Sequence, residues 1–327
     1  MLVLLRETGG IGDQICVGAV AHQLRHEGSE ETLVIAAPSE YKVVAEHLRH
    51  VDGFFSLGKQ AVIFPELRPR CAELDPVRYP YLGRLFAFTD PANIVDLNCP
   101  AFVYETTERG PLRFSRPELF CMAAGTRSLD HAFAEWSCKP SELKKAREWV
   151  EKHLGESSKQ LVAFCPFATT KERSLSSEVY EKVLDYLASR FRVIFFNSHG
   201  SPGRQIPDVA YAIGPPSELV AALVQLCDFV FTVDTMFLHL AAALHKPTLA
   251  FFGPTDARAT LRPYNLTESL EGSALCRHTG QDRPCSYNEQ RGWVPTQCAD
   301  SCRRLGCTRL QSLTAEVIKK GIEKWLA

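Results

Sequence analysis

A chain of 327 residues that is 45% hydrophobic exceeds one typical core and suits two α/β domains of ~150 residues each. Its net charge of −1 lacks the basic excess of a nucleic-acid binder, and no run approaches the ~20 apolar residues of a membrane span. Met1 opens an apolar run rather than a charged leader, so the expectation is a cytoplasmic protein. There, twelve cysteines suit metal ligation or a reduced core better than a disulfide framework.

Leu2 to Leu5 is predicted as a buried strand. It runs into a glycine-rich turn (Gly9, Gly10, Gly12), and Asp13 stands at the head of an apolar-periodic helix over Gln14 to His26. Further strands are expected at Leu33–Ala36, Ala61–Phe64 and Ile94–Leu97, with a helix around Lys42–His50. Residues 65–92, dense in proline, read as an irregular loop over a cleft, where an acceptor would be recognised. Helices near Ser115–Ala124 and Ser141–Leu154 precede a linker at Gly155–Lys159. Strand–helix alternation then resumes with Leu161–Cys165, Ser177–Ser189, Arg192–Phe196, Pro216–Gln225 and Phe229–Val233. Leu310–Leu326 reads as a closing amphipathic helix.

The most informative stretch is FVFTVDTMFLHLAAALHKPTLAFFGPTD, residues 229–256. A strand ends in Asp234 and Thr235, a helix runs from Met236 to Leu244, and a second buried strand covers Pro247 to Phe252. A helix that opens straight off a strand presents backbone N–H groups and its positive dipole end, which suits a diphosphate. Thr235 and His239 are four apart and share one face. The same letters also fit an ordinary α/β unit with a capping Asp and a core His.

Together the two ends of the chain resemble glycosyltransferase family 9, the heptosyltransferase-like enzymes. The resemblance rests on Arg6 and Gly12-Asp13 after the first strand. It rests equally on Asp234-Thr235, His239-Leu240-Ala241-Ala242, Lys246-Pro247 and Phe252-Gly253-Pro254-Thr255. It implies an α/β chain of GT-B architecture: two facing doubly wound Rossmann-like domains with a cleft between them. Residues 1–155 would form the acceptor-side domain, 156–309 the nucleotide-sugar domain, and 310–327 a helix packing back on the first domain. It also implies inverting transfer of a heptose or related sugar from an ADP-activated donor to a glycan, a lipid-linked glycan such as lipopolysaccharide, or a protein. Asp13 would be the base that deprotonates the acceptor hydroxyl. A third segment, Phe164 to Leu175, matches the family's Ala-Thr-Thr with Thr169 and Thr170. The lysine near the donor phosphates is one residue out of step, so Arg173, or Lys171, takes its place, and Leu175 replaces a tryptophan. Donor contacts would come from Thr169, Thr170, Lys171, Arg173, Asp234, Thr235, Met236 and His239, with Gly10 and Gly12 forming the glycine turn. The turn at Asn197–Gly200 offers His199 where the family often has a glutamate.

Cys276, Cys285, Cys298, Cys302 and Cys307 crowd a segment with little hydrophobic periodicity. Four thiolates around a structural zinc or iron would order it, and Cys285, Cys298, Cys302 and Cys307 are the expected set, with Cys276 or His278 as substitutes. No metal is expected to take part in catalysis. Contact with a membrane would be at most peripheral, at its inner face. Loop arginines Arg68, Arg70, Arg78, Arg84, Arg109 and Arg113 suit an acidic or phosphorylated acceptor, or simply solvated loops. Three other readings stay open: a transferase for another nucleotide sugar, a nucleotide-sugar epimerase, or a non-catalytic nucleotide-sugar-binding protein in which Asp13 is only a cap. The pattern argues against a Rossmann dehydrogenase, because Gly-Gly-Ile-Gly is not the dinucleotide fingerprint and no acidic residue sits on a clear second strand end to hold a ribose.

Overall fold

A computed structural model describes residues 1–7, 9–59, 80–98, 113–197, 205–277, 280, 282, 284 and 300–327, with side chains at all of these except 80–83, 300, 301 and 303. The described residues through Ser137 form one compact unit and those from Cys138 form a second.

The first unit contains β1 (Leu2–Leu5), α1 (Ile11–His26), β2 (Leu33–Ala37), α2 (Lys42–Ala45), β3 (Gly53–Ser56), α3 (Pro80–Phe88), β4 (Ile94–Asp96) and α4 (Arg116–Ala123). Its strands pair in parallel in the order β3-β2-β1-β4, with Leu4 opposite both Ile35 and Val95. Parallel strands covered on both faces read as unbroken apolar runs, and β1 and β2 are such runs, with Val3, Leu4, Leu5, Leu33 and Ala36 wholly inaccessible. α3 replaces the irregular loop expected through residue 92. Its proline stands at the first helical position, where no N–H is needed. Leu85 is wholly buried and Phe86 packs against the same core as Val3 and Leu5. The expected strand at 61–64 and the prolines at 65, 69 and 76 lie outside the described residues.

The second unit holds α5 (Pro140–Leu154), β5 (Leu161–Cys165), a 3-10 turn (Lys171–Arg173), α6 (Ser177–Arg190), β6 (Arg192–Asn197) and β7 (Val209–Ile213). It continues with α7 (Ser217–Leu226), β8 (Phe229–Val233), α8 (Met236–Ala243), β9 (Thr248–Phe252), α9 (Ala257–Leu261) and β10 (Thr267–Glu271). α10 (Asp300–Leu305), α11 (Thr308–Gln311) and α12 (Ala315–Leu326) close it. The six strands are parallel in the order β10-β9-β8-β5-β6-β7. Counted from β5 this is the doubly wound dinucleotide-fold order, which reverses between β5 and β8. Phe164, Phe195, Phe231 and Phe251, one on each of the four central strands, are at most 1% exposed, and burying each such ring stabilises the unit by about 2–3 kcal/mol.

One boundary differs from the sequence reading. The join falls at Ser137/Cys138 rather than at Gly155–Lys159, because α5 belongs to the second unit. Its narrow apolar stripe, Ala146 and Val150, is buried, and the helix packs on α7. Gly155, at φ 63°, only ends that helix. The last helix was expected to cross back to the first domain. Within the second unit, Ile318 and Ile322 of α12 are wholly buried in that unit's core with Val183 and Leu187 of α6.

Candidate active site

In the first unit the reversal of strand order lies between β1 and β4, and their carboxyl ends carry the polar groups. Arg6 follows β1 directly. Its Nη1 donates to Leu97 O at 3.0 Å, and its guanidinium lies 5.0 Å from the centre of the Phe120 ring. Asn98, just past β4, accepts from Glu7 N at 3.0 Å and donates to Leu5 O at 3.3 Å, which fixes the two strand ends to one another. Gly9 has φ 92°, and a Cβ there would come within 2.4 Å of the Asp13 carboxylate, so the turn needs glycine on both counts.

α1 starts at Ile11, which makes Gly10 its N-cap and Asp13 its third residue rather than its head. Gly12 lies inside the first helical turn. Asp13 Oδ2 accepts from Gly10 N at 2.9 Å. Asp13 Oδ1 faces two guanidinium groups: Arg6 Nη2 at 3.5 Å and Nη1 of Arg116, with which it forms a close ion pair. Arg116 is the first residue of α4, and that helix end is held by reciprocal capping, Ser115 N donating to Glu118 Oε2 at 2.7 Å. Burial alone would raise the Asp13 pKa. Arg116, Arg6 and the Gly10 N–H outweigh it and bring the value from 3.8 down to about 2. The group is therefore a carboxylate at neutral pH and, taken alone, a weak base.

The second unit's reversal, between β5 and β8, gathers most of the predicted donor residues. Arg173 reaches from the 3-10 turn after β5. Its Nη2 donates to Thr169 Oγ1 at 3.1 Å, its Nε to Thr170 Oγ1 at 3.3 Å and its Nη1 to Asp234 O at 3.3 Å. The same Nη1 lies 3.8 Å from Asp234 Oδ2. Lys171, in the same turn, is exposed, whereas Arg173 is half-buried; of the two cations, Arg173 is the one fixed at the strand ends. Asp234 is 8% exposed, and its Oδ2 accepts from Thr255 Oγ1 at 2.8 Å. Leu175, in place of the family's tryptophan, is buried in the core.

Thr235 is the N-cap of α8, with extended backbone and no side-chain capping bond, so its hydroxyl does not occupy the first-turn N–H groups. Met236 and His239 are half-buried on the first turns, and His239 Nδ1 lies 2.7 Å from Tyr264 OH. A half-buried guanidinium beside an uncapped helix N-terminus at a strand-order reversal can hold a diphosphate. Of the cysteine set, Cys302 and Cys307 are buried, as is Cys276; Cys285, Cys298, His278 and His199 lie outside the described residues. Sequence reasoning missed Arg116, Thr255 as the partner of Asp234, and Tyr264. Only Arg116 had a local signal, the Ser-Arg-Pro-Glu capping pattern at 115–118.

The family model described as glycosyltransferase family 9 (heptosyltransferase) matches residues 126–289. "Putative lipopolysaccharide heptosyltransferase 4" of Escherichia coli (strain K12) is 32% identical over 111 residues, covering 32% of this chain and 29% of that protein. The match thus spans less than a third of that relative. A glycosyl transferase family 9 structure from Veillonella parvula DSM 2008 superposes with a TM-score of 0.67 at 14% identity, covering 99% of this chain and 96% of that one. ADP-heptose lps heptosyltransferase II of E. coli gives 0.64 at 13% identity, covering 100% and 98%. These likenesses show the fold, which is that of the GT-B glycosyltransferases.

Proposed function

The chain belongs to glycosyltransferase family 9, and from that premise we propose that it moves a heptose or closely related sugar from an ADP-activated donor to a glycan, lipid-linked glycan or protein acceptor, with inversion. The observation that carries the reading is the fixing of Arg173 by Thr169, Thr170 and Asp234 at the strand-order reversal of the second unit. Arg173 and the first-turn N–H groups of α8 bind the donor diphosphate and stabilise its charge as it leaves. Asp234 repels phosphate and is better used on sugar hydroxyls, with Thr255 holding its carboxylate in one orientation. His239, set by Tyr264, lies one helical turn further along and bounds the same site.

Asp13 takes the acceptor proton. A carboxylate with a pKa of about 2 accepts that proton only late, once attack on the anomeric carbon has made the hydroxyl acidic. Arg116 and Arg6 keep the carboxylate ionised and aimed until then. The enzyme works in the cytoplasm and meets a lipid-linked acceptor at the membrane surface; no described helix is long and apolar enough to cross a bilayer. A structural zinc or iron on Cys285, Cys298, Cys302 and Cys307 completes the proposal. It is supported by the burial of Cys302 and Cys307 and by Thr308 Oγ1, which donates to Leu275 O at 2.9 Å and so ties the Cys276 strand of chain to the Cys307 turn.

Turnover tests this reading. ADP release from ADP-heptose should require a heptose-deficient lipopolysaccharide acceptor and fall about 10²–10⁴-fold in Asp13→Asn. Isomerisation of the donor without acceptor would identify an epimerase instead, and binding without turnover a non-catalytic protein.

A further inference from the structure

Five of the ten histidines, His22, His26, His47, His50 and His131, fall in the described part of the first unit. Asp13 chemistry uses none of them. Four gather on one side: His22 and His50 stack with ring centres 5.5 Å apart, His131 lies edge-on to His22 at 5.5 Å, and His26 stacks on His131. One ligand atom from each of His22, His50 and Glu135 lies within 4.8 Å of the other two. The geometry points to a site for a divalent transition metal, Zn²⁺ by its donor chemistry, held by His22, His50 and Glu135 with water in the open position.

The ligands are held on structure that forms without the metal. His22 sits on α1 with Nδ1 donating to Phe133 O at 3.0 Å, which fixes the tautomer and turns the lone pair of Nε2 away from that carbonyl. His50 and Glu135 are brought together by backbone pairing on either side of the Leu48–Trp136 bridge: Arg49 N donates to Glu135 O at 2.9 Å and Ser137 N to His47 O at 2.8 Å. His50 has φ 70°, a left-handed conformation that costs a non-glycine residue and is kept where a side chain must point one way. Its Nε2–H donates to Glu135 Oε2 at 3.2 Å. Two ligand atoms on a tetrahedral zinc with bonds of ~2.0–2.1 Å stand roughly 3.3 Å apart, so an ion fits with small movements, the ring proton of His50 moving from Nε2 to Nδ1 as Nε2 becomes a ligand.

Two imidazoles and a carboxylate suit zinc, and three protein ligands leave one coordination position open. The side chain of His50 is 35% exposed, which admits water there. His22 is nine residues beyond Asp13 on one helix, ~14 Å at 1.5 Å per residue. The ion is therefore structural: it joins the far half of α1 to residues 50 and 135.

Chelator-stripped protein titrated with Co²⁺ and Zn²⁺ tests this. The expectation is one ion per chain at a nitrogen–oxygen site, seen as weak visible Co²⁺ bands without thiolate charge transfer. Affinity should fall more than about tenfold in His50→Ala and in Glu135→Gln. Added Zn²⁺ should raise the melting temperature of the wild type and of neither variant. Both substitutions are at accessible positions, and the metal-free melting temperature checks that each variant folds. Unchanged affinity in both variants, or Co²⁺ bound only with thiolate charge transfer as the cysteine segment would give, overturns the proposal.

Discussion

Replacing Asp13 with Asn removes the carboxylate while keeping its shape, and the structure fixes what should be lost. The folded-state pKa of Asp13 is about 2 against an ordinary 3.8, a difference worth about 2 kcal/mol of stability at pH 7. The side chain is only 15% exposed, so little of this is lost to solvent screening. Because the folded value lies below the unfolded one, the stabilisation is complete above the unfolded pKa and fades as pH falls towards the folded one. Unfolding free energies of wild type and Asp13→Asn from urea denaturation should therefore differ by about 2 kcal/mol at pH 7 and pH 5, and by about half that at pH 3. A gap that stays constant from pH 7 to pH 3, or an Asn variant as stable as wild type at neutral pH, would refute the ion-pair account of this carboxylate.

Arg116→Gln removes the nearer of the two neighbouring positive charges; the acid limb of the pH profile of kcat/KM should move up by about one pH unit. Thr255→Val takes from Asp234 Oδ2 its 2.8 Å donor and should destabilise by about 2 kcal/mol, read by urea denaturation. In Gly272→Ala the new Cβ would lie 1.7 Å from the carbonyl oxygen of Arg309. The backbone has to move, and the cost should exceed about 3 kcal/mol, read as a loss of melting temperature.

How much of this could be read from the letters depended on how local the information was. β5, β8 and β9 were legible because buried parallel strands are continuous apolar runs. β10, Thr-Glu-Ser-Leu-Glu, is a half-exposed edge strand with two acids, and β3 has four residues and opens on glycine; neither carries such a signal. α3 was hidden by the prolines around it, one of which, Pro80, opens it, whereas α5 was legible as a helix but its polarity disguised the unit it belongs to. Asp13 in the first turn of α1, Arg173 in the 3-10 turn after β5 and Asp234 at the end of β8 each sit inside a short motif. Arg116 meets Asp13 from 103 residues away, and Tyr264 meets His239 from 25; no periodicity encodes such pairings. The His22, His50 and Glu135 group comes from three separate segments, and only the folded chain brings them together.

The central claim is that the second unit holds an ADP-linked sugar through Arg173, and a ligand panel tests it most directly. ADP, UDP, GDP and CDP, alone and as sugar conjugates, should be compared by melting temperature on wild type, Arg173→Ala and Asp13→Asn. The account predicts that ADP and ADP-heptose alone stabilise the wild type, that Arg173→Ala loses most of the shift, and that Asp13→Asn keeps it. Stabilisation by another nucleotide in preference to ADP, or an undiminished ADP shift in Arg173→Ala, would contradict it.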